Sequence, residues 1–211
     1  MIGSILSKLK ELGPTRFAQS GVVALFNLAL QRIYRFDPWH VSGNYYSRPY
    51  KARVVALAEH DHPRTVVEIG VGLGDIIGRV RAPKRVGLDL DPKVIKAARH
   101  CVPRDVVLAD ANFLDAPSVV AALKAAKVEV IECLILVNWI HMIGIEEIAE
   151  TLDHIAQAIP IRRVLVDAIK AGAVGYRHHH NADAFKRLGR IEETIEGDAV
   201  RDLVLVKRGK A

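Results

Sequence analysis

Residues 65–75 read TVVEIGVGLGD. Val66, Val67 and Ile69 make a short β-branched run whose one charge is Glu68, the pattern of a strand in a parallel sheet covered on both faces. Gly70, Gly72 and Gly74 follow at alternate positions, and Asp75 opens an apolar stretch, IIGRV, that predicts a helix over 75–81. Glycine lets a chain turn sharply out of a strand and bring bare backbone against a ligand, with the amides of a helix N-terminus aimed at it. The stretch reads as a nucleotide-cofactor loop.

Spacing narrows the cofactor. The dinucleotide pattern G-x-G-x-x-G needs glycine at position 75, where this chain has Asp, and Glu68 and Asp75 put negative charge where a pyrophosphate would lie. A cofactor with a cationic centre fits better. The acid two residues ahead of a G-x-G-x-G run resembles the first motif of class I S-adenosylmethionine-dependent methyltransferases. The resemblance implies S-adenosyl-L-methionine as cofactor, its methionine and ribose portions cradled by Glu68, Gly70, Gly72 and Gly74.

Two further strand ends follow in order. In KRVGLDLD (84–91) Asp89 lies nineteen residues beyond Gly70, where a carboxylate accepts both ribose hydroxyls, with Leu90 beside it. Asp91 is the alternative, and as the residue before Pro92 it also suits a helix cap. In DVVLADANFLD (105–115) a strand ends at Asp110. The resemblance implies that Asp110 bonds the adenine amino group and that the backbone of Ala111 lies beside the ring.

The alternation continues as strand 85–89, helix 92–101, strand 105–109, helix 117–126, strand 131–137, helix 145–158 and strand 163–168. After a helix-like 182–188 come two alternating runs, IEETIEG and VRDLVLVKR, separated by little more than Gly197 and Asp198. So short a connection joins antiparallel neighbours. The fold expected is α/β: an open, mostly parallel seven-stranded sheet with helices on both faces and an antiparallel C-terminal hairpin. Such a terminal antiparallel strand is what the resemblance implies, and it separates that fold from plain dinucleotide domains. Residues 51–211 form the cofactor-binding domain in this reading, preceded by an N-terminal helical and aromatic-rich segment, 1–50.

With 211 residues, 50% of them hydrophobic and 26% charged, the chain supports one globular domain with an appendage. Cys101 and Cys133 form no C-x-x-C pair and read as small hydrophobes, so a reducing cytoplasm is the default. Of the net charge of +6, five units lie in residues 1–60, which hold eight Lys or Arg against three acids. The later domain is almost neutral, which argues against a grip on nucleic acid there.

Residues 1–35 show helical patches broken at Gly13 and Pro14. The apolar run 21–30 falls short of the roughly 18–20 residues a membrane span needs and does not look like a secretory signal. It suits a helix packed on the domain or on a second copy in a homodimer, or a basic, apolar helix in peripheral contact with a membrane. Residues 36–50, FDPWHVSGNYYSRPY, combine Trp39, Tyr45, Tyr46 and Arg48 with turn formers: a lid over a substrate, or a connecting loop pinned by aromatic anchors.

The fourth strand runs out into Asn138, Trp139, Ile140 and His141, which face the acceptor if ligands bind beyond the carboxyl ends of the strands. Asn138 is placed to position acceptor or cofactor, and His141 is the candidate base, a residue type that titrates near neutrality; it serves equally as a structural hydrogen-bond partner. Family members that methylate adenine in nucleic acid carry Pro-Pro-aromatic after the Asp or Asn here, which Trp139 and Ile140 do not match. In YRHHH (176–180) alternate residues point apart, so no metal site is expected, and the run is a solvated loop or a substrate contact through His180. The reading that results is methyl transfer to an oxygen or nitrogen of a small molecule. The alternatives are an NAD(P)-dependent oxidoreductase and a non-catalytic, membrane-associated binding protein.

Overall fold

The β-branched runs become strands and the glycines become their exits. The computed structural model describes residues 2–209, with side chains from residue 8 onward. Strands β1 (Thr65–Ile69), β2 (Lys84–Asp89), β3 (Val107–Asp110), β4 (Cys133–Leu136) and β5 (Arg163–Ile169) are parallel, and β6 (Arg190–Glu196) and β7 (Arg201–Lys207) form a hairpin. The sheet order is β3-β2-β1-β4-β5-β7-β6, with β7 antiparallel to both neighbours. Sequence order reverses between β1 and β4, the place where open α/β sheets leave a crevice at the strands' carboxyl ends.

Strand residues alternate between two cores, as a period of two requires. Val67, Leu134, Leu136, Val164 and Val166 pack with Val119 and Leu123 of α4 (Ala116–Ala125) and Ile148, Leu152 and Ile155 of α5 (Ile145–Ala158). Val66, Ile135, Leu165, Leu203 and Leu205 pack on the other face with Tyr50, Val54 and Leu57 of α2 (Tyr50–Ala58) and Ile95 of α3 (Pro92–Ala98).

The N-terminal helix α1 (Ile2–Tyr34) is kinked at Gly13 (φ 74, ψ 161), beside Pro14, where the sequence expects a break. The far end of α1 carries Leu30 and leads into Phe36, and both pack on Leu73 of the glycine loop and on Val94 and Ala97 of α3. The helix expected over 75–81 is a series of turns instead, with Gly78 N–H on Gly74 O and Arg79 N–H on Ile76 O. Gly74 sits at φ 81, and the few residues before Pro83 are too short a run to offset helix nucleation.

Gly87, in the middle of β2, lets the loop lie close. A Cβ there would stand 2.7 Å from Val71 Cγ2 and 2.8 Å from Leu108 Cδ2. Gly87→Ala is therefore expected to overpack the loop against β3 and lower stability by about 1–3 kcal/mol, read from urea unfolding.

Candidate functional site

Gly70, Gly72 and Gly74 have φ of 74, 54 and 81, a region closed to most side chains. The loop is fastened to β2: Gly70 and Val71 N–H both donate to Leu88 O, at 2.8 and 2.9 Å, and Gly72 N–H donates to Asp89 Oδ2 at 2.8 Å. Asp89 is buried and also accepts Asp91 N–H at 3.1 Å. Asp91 accepts Lys93 N–H and caps α3, which settles which of the two acids turns toward the loop. Asp110 stands opposite Asp89 in register, exposed at the end of β3. The next residue, Ala111, is buried with its N–H on Asp89 O at 2.9 Å, while Leu90 is exposed.

Glu68 is buried at the base of the loop and accepts Ile77 N–H at 2.9 Å. Burial pushes its carboxyl up to about 8, against that hydrogen bond and the nearby Lys51 cation. Lys51 itself pairs with Asp75 at 2.6 Å. Sequence reading missed this pair, although Asp75 was in view as the residue that breaks the dinucleotide pattern.

Between this loop and segment 39–51 lies a cleft of about 60 Å³, lined by Glu68, Gly70, Gly72, Asn138, Trp139, Trp39, His40, Arg48 and Lys51 among others. Small-molecule sites usually offer ~300 Å³ or more. Two rings crowd it. Trp139 Nε1–H donates to Ile69 O at 2.7 Å, and the indole fills the space a Cβ on Gly70 would need. His40 lies over Gly72, its basicity lowered by burial against the pull of Asp89, Asp91 and Asp37. Arg48 donates to Ser42 Oγ at 3.0 Å, whereas Tyr45 and Tyr46 turn to the Arg79 guanidinium, 4.1 and 5.5 Å from their ring centres.

Beyond the cleft a buried polar network joins residues far apart in the chain. Asn138 holds φ 84, a conformation Asn tolerates better than most residues. Its N–H donates to Asp167 Oδ1 at 3.0 Å; its Oδ1 accepts Tyr50 O–H at 2.8 Å and the Arg201 guanidinium. Arg201 pairs with the fully buried Asp167 at 3.1 Å and stacks 4.3 Å from the centre of the Tyr50 ring. His141, 1% exposed, places Nε2 3.2 Å from Asp167 Oδ1, short of hydrogen-bond alignment, and Nδ1 has no partner. Tyr176 and His180 close over His141, with ring centres 5.3 and 5.6 Å away. His180 is buried with Nε2 2.8 Å from Ile143 O, and its burial lowers its basicity. The structure thus brings Asn138, His141 and His180 together around Asp167 and Arg201. Neither of those two was picked out beforehand, though an acid inside the apolar run VLVDAI was a visible signal.

No protein-family model and no curated protein matches the chain. Solved structures do match. The N-methyltransferase NodS from Bradyrhizobium japonicum WM9, in complex with S-adenosyl-L-homocysteine, aligns with a TM-score of 0.63 at 13% identity, over 87% of this chain and 98% of that one. The fold is that of the S-adenosylmethionine-dependent methyltransferases. Magnesium protoporphyrin IX methyltransferase (ChlM) from Synechocystis PCC 6803, with bound SAM, aligns with a TM-score of 0.58 at 13% identity, over 93% and 98% of the two chains. TnmH gives 0.58 at 20% identity, over 99% of this chain and 68% of its own. In this methyltransferase fold the glycine loop and the Asn138 network occupy the two sides of the crevice between β1 and β4.

Two measurements probe this geometry. The raised Glu68 carboxyl binds a proton in the folded state that the unfolded chain releases near pH 4.5, so between pH 4.5 and 8 stability falls as pH rises. Glu68→Gln is expected to flatten that slope in a series of melting curves across this range. Asp167→Ala leaves the Arg201 cation buried beside Asn138 without its main counter-ion, for an expected loss of about 3–5 kcal/mol in denaturant unfolding.

Proposed function

We propose that the protein is an S-adenosylmethionine-dependent methyltransferase acting on an oxygen or nitrogen of a small molecule. The observation that carries this reading is the pair of buried acidic side chains, Glu68 and Asp89, beneath a loop of bare glycine backbone at the switch point of a methyltransferase fold. The donor set fits the cofactor. In this reading Asp89 takes the ribose hydroxyls with Leu90 at its side, Asp110 and the Ala111 backbone take the adenine, and Glu68 with Gly70, Gly72 and Gly74 takes the methionine end. Room for it comes from displacement of His40 and Trp139. The antiparallel insertion of β7 and the likeness to methyltransferases weigh against a dinucleotide-dependent oxidoreductase.

When bound, S-adenosylmethionine supplies a methyl group already activated on a cationic sulfur. What remains for the chain is to align the acceptor, exclude water and take away a proton. The acceptor's O–H or N–H would give up its proton to Nδ1 of His141, which is unpartnered among the described residues. Asp167, paired with Arg201, faces the imidazole that receives the proton. Asn138, fixed at both backbone and side chain, orients the acceptor beside Trp139. Trp39 and Arg48 face it from residues 36–50 of the N-terminal segment 1–50, which act as lid to the catalytic domain 51–211. Tyr45 and Tyr46 hold that lid to Arg79, and His180 with Tyr176 shuts His141 off until the segment around Gly172 and Gly175 opens.

Both tryptophans of the chain line the cleft. Titration with S-adenosylhomocysteine is expected to change the intrinsic tryptophan fluorescence, and Asp89→Ala to weaken binding roughly tenfold to a hundredfold. Absence of any fluorescence or calorimetric response to this ligand, with NAD or NADP bound instead, overturns the proposal.

A further inference from the structure

The N-terminal helix has an apolar face that the described residues leave uncovered. From Phe17 to Gln31 the chain has no charged residue. Asn27 and Leu30 are buried, and Val22, Leu25, Phe26, Ala29 and Ile33, spaced as i, i+3, i+4, i+7 and i+11, form one exposed stripe along α1. Val22, Leu25 and Ile33 are 69%, 71% and 70% exposed. Isolated surface apolar residues need no explanation, but a contiguous stripe of large ones marks a contact surface.

We propose that this stripe seats α1 in the interfacial layer of a membrane that carries anionic lipid. Charge selects the occupant. The stretch from Lys8 to Arg35 holds Lys8, Lys10, Arg16, Arg32 and Arg35 against a single acid, Glu11. The helix on which α1 docks, α3, adds exposed Lys93 and Lys96, followed by Arg99, with no acid inside its span. An apolar stripe with cations at its ends and on the neighbouring helix suits a helix lying in the interfacial layer, held by apolar burial and by attraction to anionic headgroups. No helix among the described residues is long and apolar enough to cross the bilayer, so α1 lies on it. A second copy of the chain fits less well. The stripe is about 17 Å long and about 10 Å wide, far short of the ~800 Å² per partner that stable association buries. Pairing two copies of α1 in parallel also sets Arg32 and Arg35 against their own counterparts.

The test is co-sedimentation of the full-length protein with phosphatidylglycerol–phosphatidylcholine vesicles and with pure phosphatidylcholine vesicles. Sedimentation with the anionic vesicles, weakened by added salt, is expected. The double variant Leu25→Ser/Ile33→Ser is expected to reduce it roughly tenfold or more, since each side chain contributes its full burial in the lipid. Melting temperature should stay unchanged, because neither residue is buried in the protein. Equal binding by the variant, equal binding to neutral vesicles, or no sedimentation at all overturns the proposal. So does a wild-type dimer in analytical ultracentrifugation that the same double variant converts to monomers.

Discussion

Three consecutive amides, those of Gly70, Val71 and Gly72, leave β1 and find their acceptors on the last two residues of β2. Buried backbone polar groups must be paired, and here the chain can pair them only by turning back over its neighbour at once. The positive φ of the glycines makes that turn feasible. Leu73, carried round with the loop, becomes the anchor for Leu30 and Phe36, so the position of the N-terminal helix follows from the same tie. Glu68 is trapped beneath it, far enough from water that its carboxyl holds its proton well above the ordinary acidic range.

This half of the molecule was open to reading because its chemistry is local. Glycines at alternate positions, an acid just ahead of them and further acids at successive strand ends are features of short windows, and the βα rhythm and the closing hairpin are periodicities of the same kind. The helix misread over 75–81 shows the limit. Its apolar residues do face the core, as Ile76, Ile77 and Val80 all do, but Gly74 at φ 81 and the short run before Pro83 leave only turns. Apolar spacing reports which residues go inside, and turns satisfy it as well as helices do.

The other half was hidden because it is assembled from distance. Tyr50 and Asn138 are 88 residues apart, Asn138 and Arg201 63, and they meet only because β4, β5 and β7 lie side by side. Asn138 and His141 could be nominated from their place after β4, but nothing in a window around them says that an aspartate on the next strand will receive one backbone N–H and face the imidazole. The hint lay elsewhere, in a carboxylate set among valines and leucines. Such a residue is rarely left without a cation, and the last strand opens with one. The stretch 36–50 divides in the same way: its aromatic content was plain, yet only packing decided that Trp39 and His40 turn to the cleft while Tyr45 and Tyr46 clasp Arg79.

The place of β7 has a bearing on how the molecule comes into being. It follows β6 in the chain, yet it lies inside the sheet, between β5 and β6. While the ribosome is still translating residues before 201, β5 has an open edge, β6 has no neighbour, and Asp167 awaits its arginine. The nascent chain must hold an incomplete sheet until Arg201–Lys207 slides in, and the polar network behind the crevice closes in that same event.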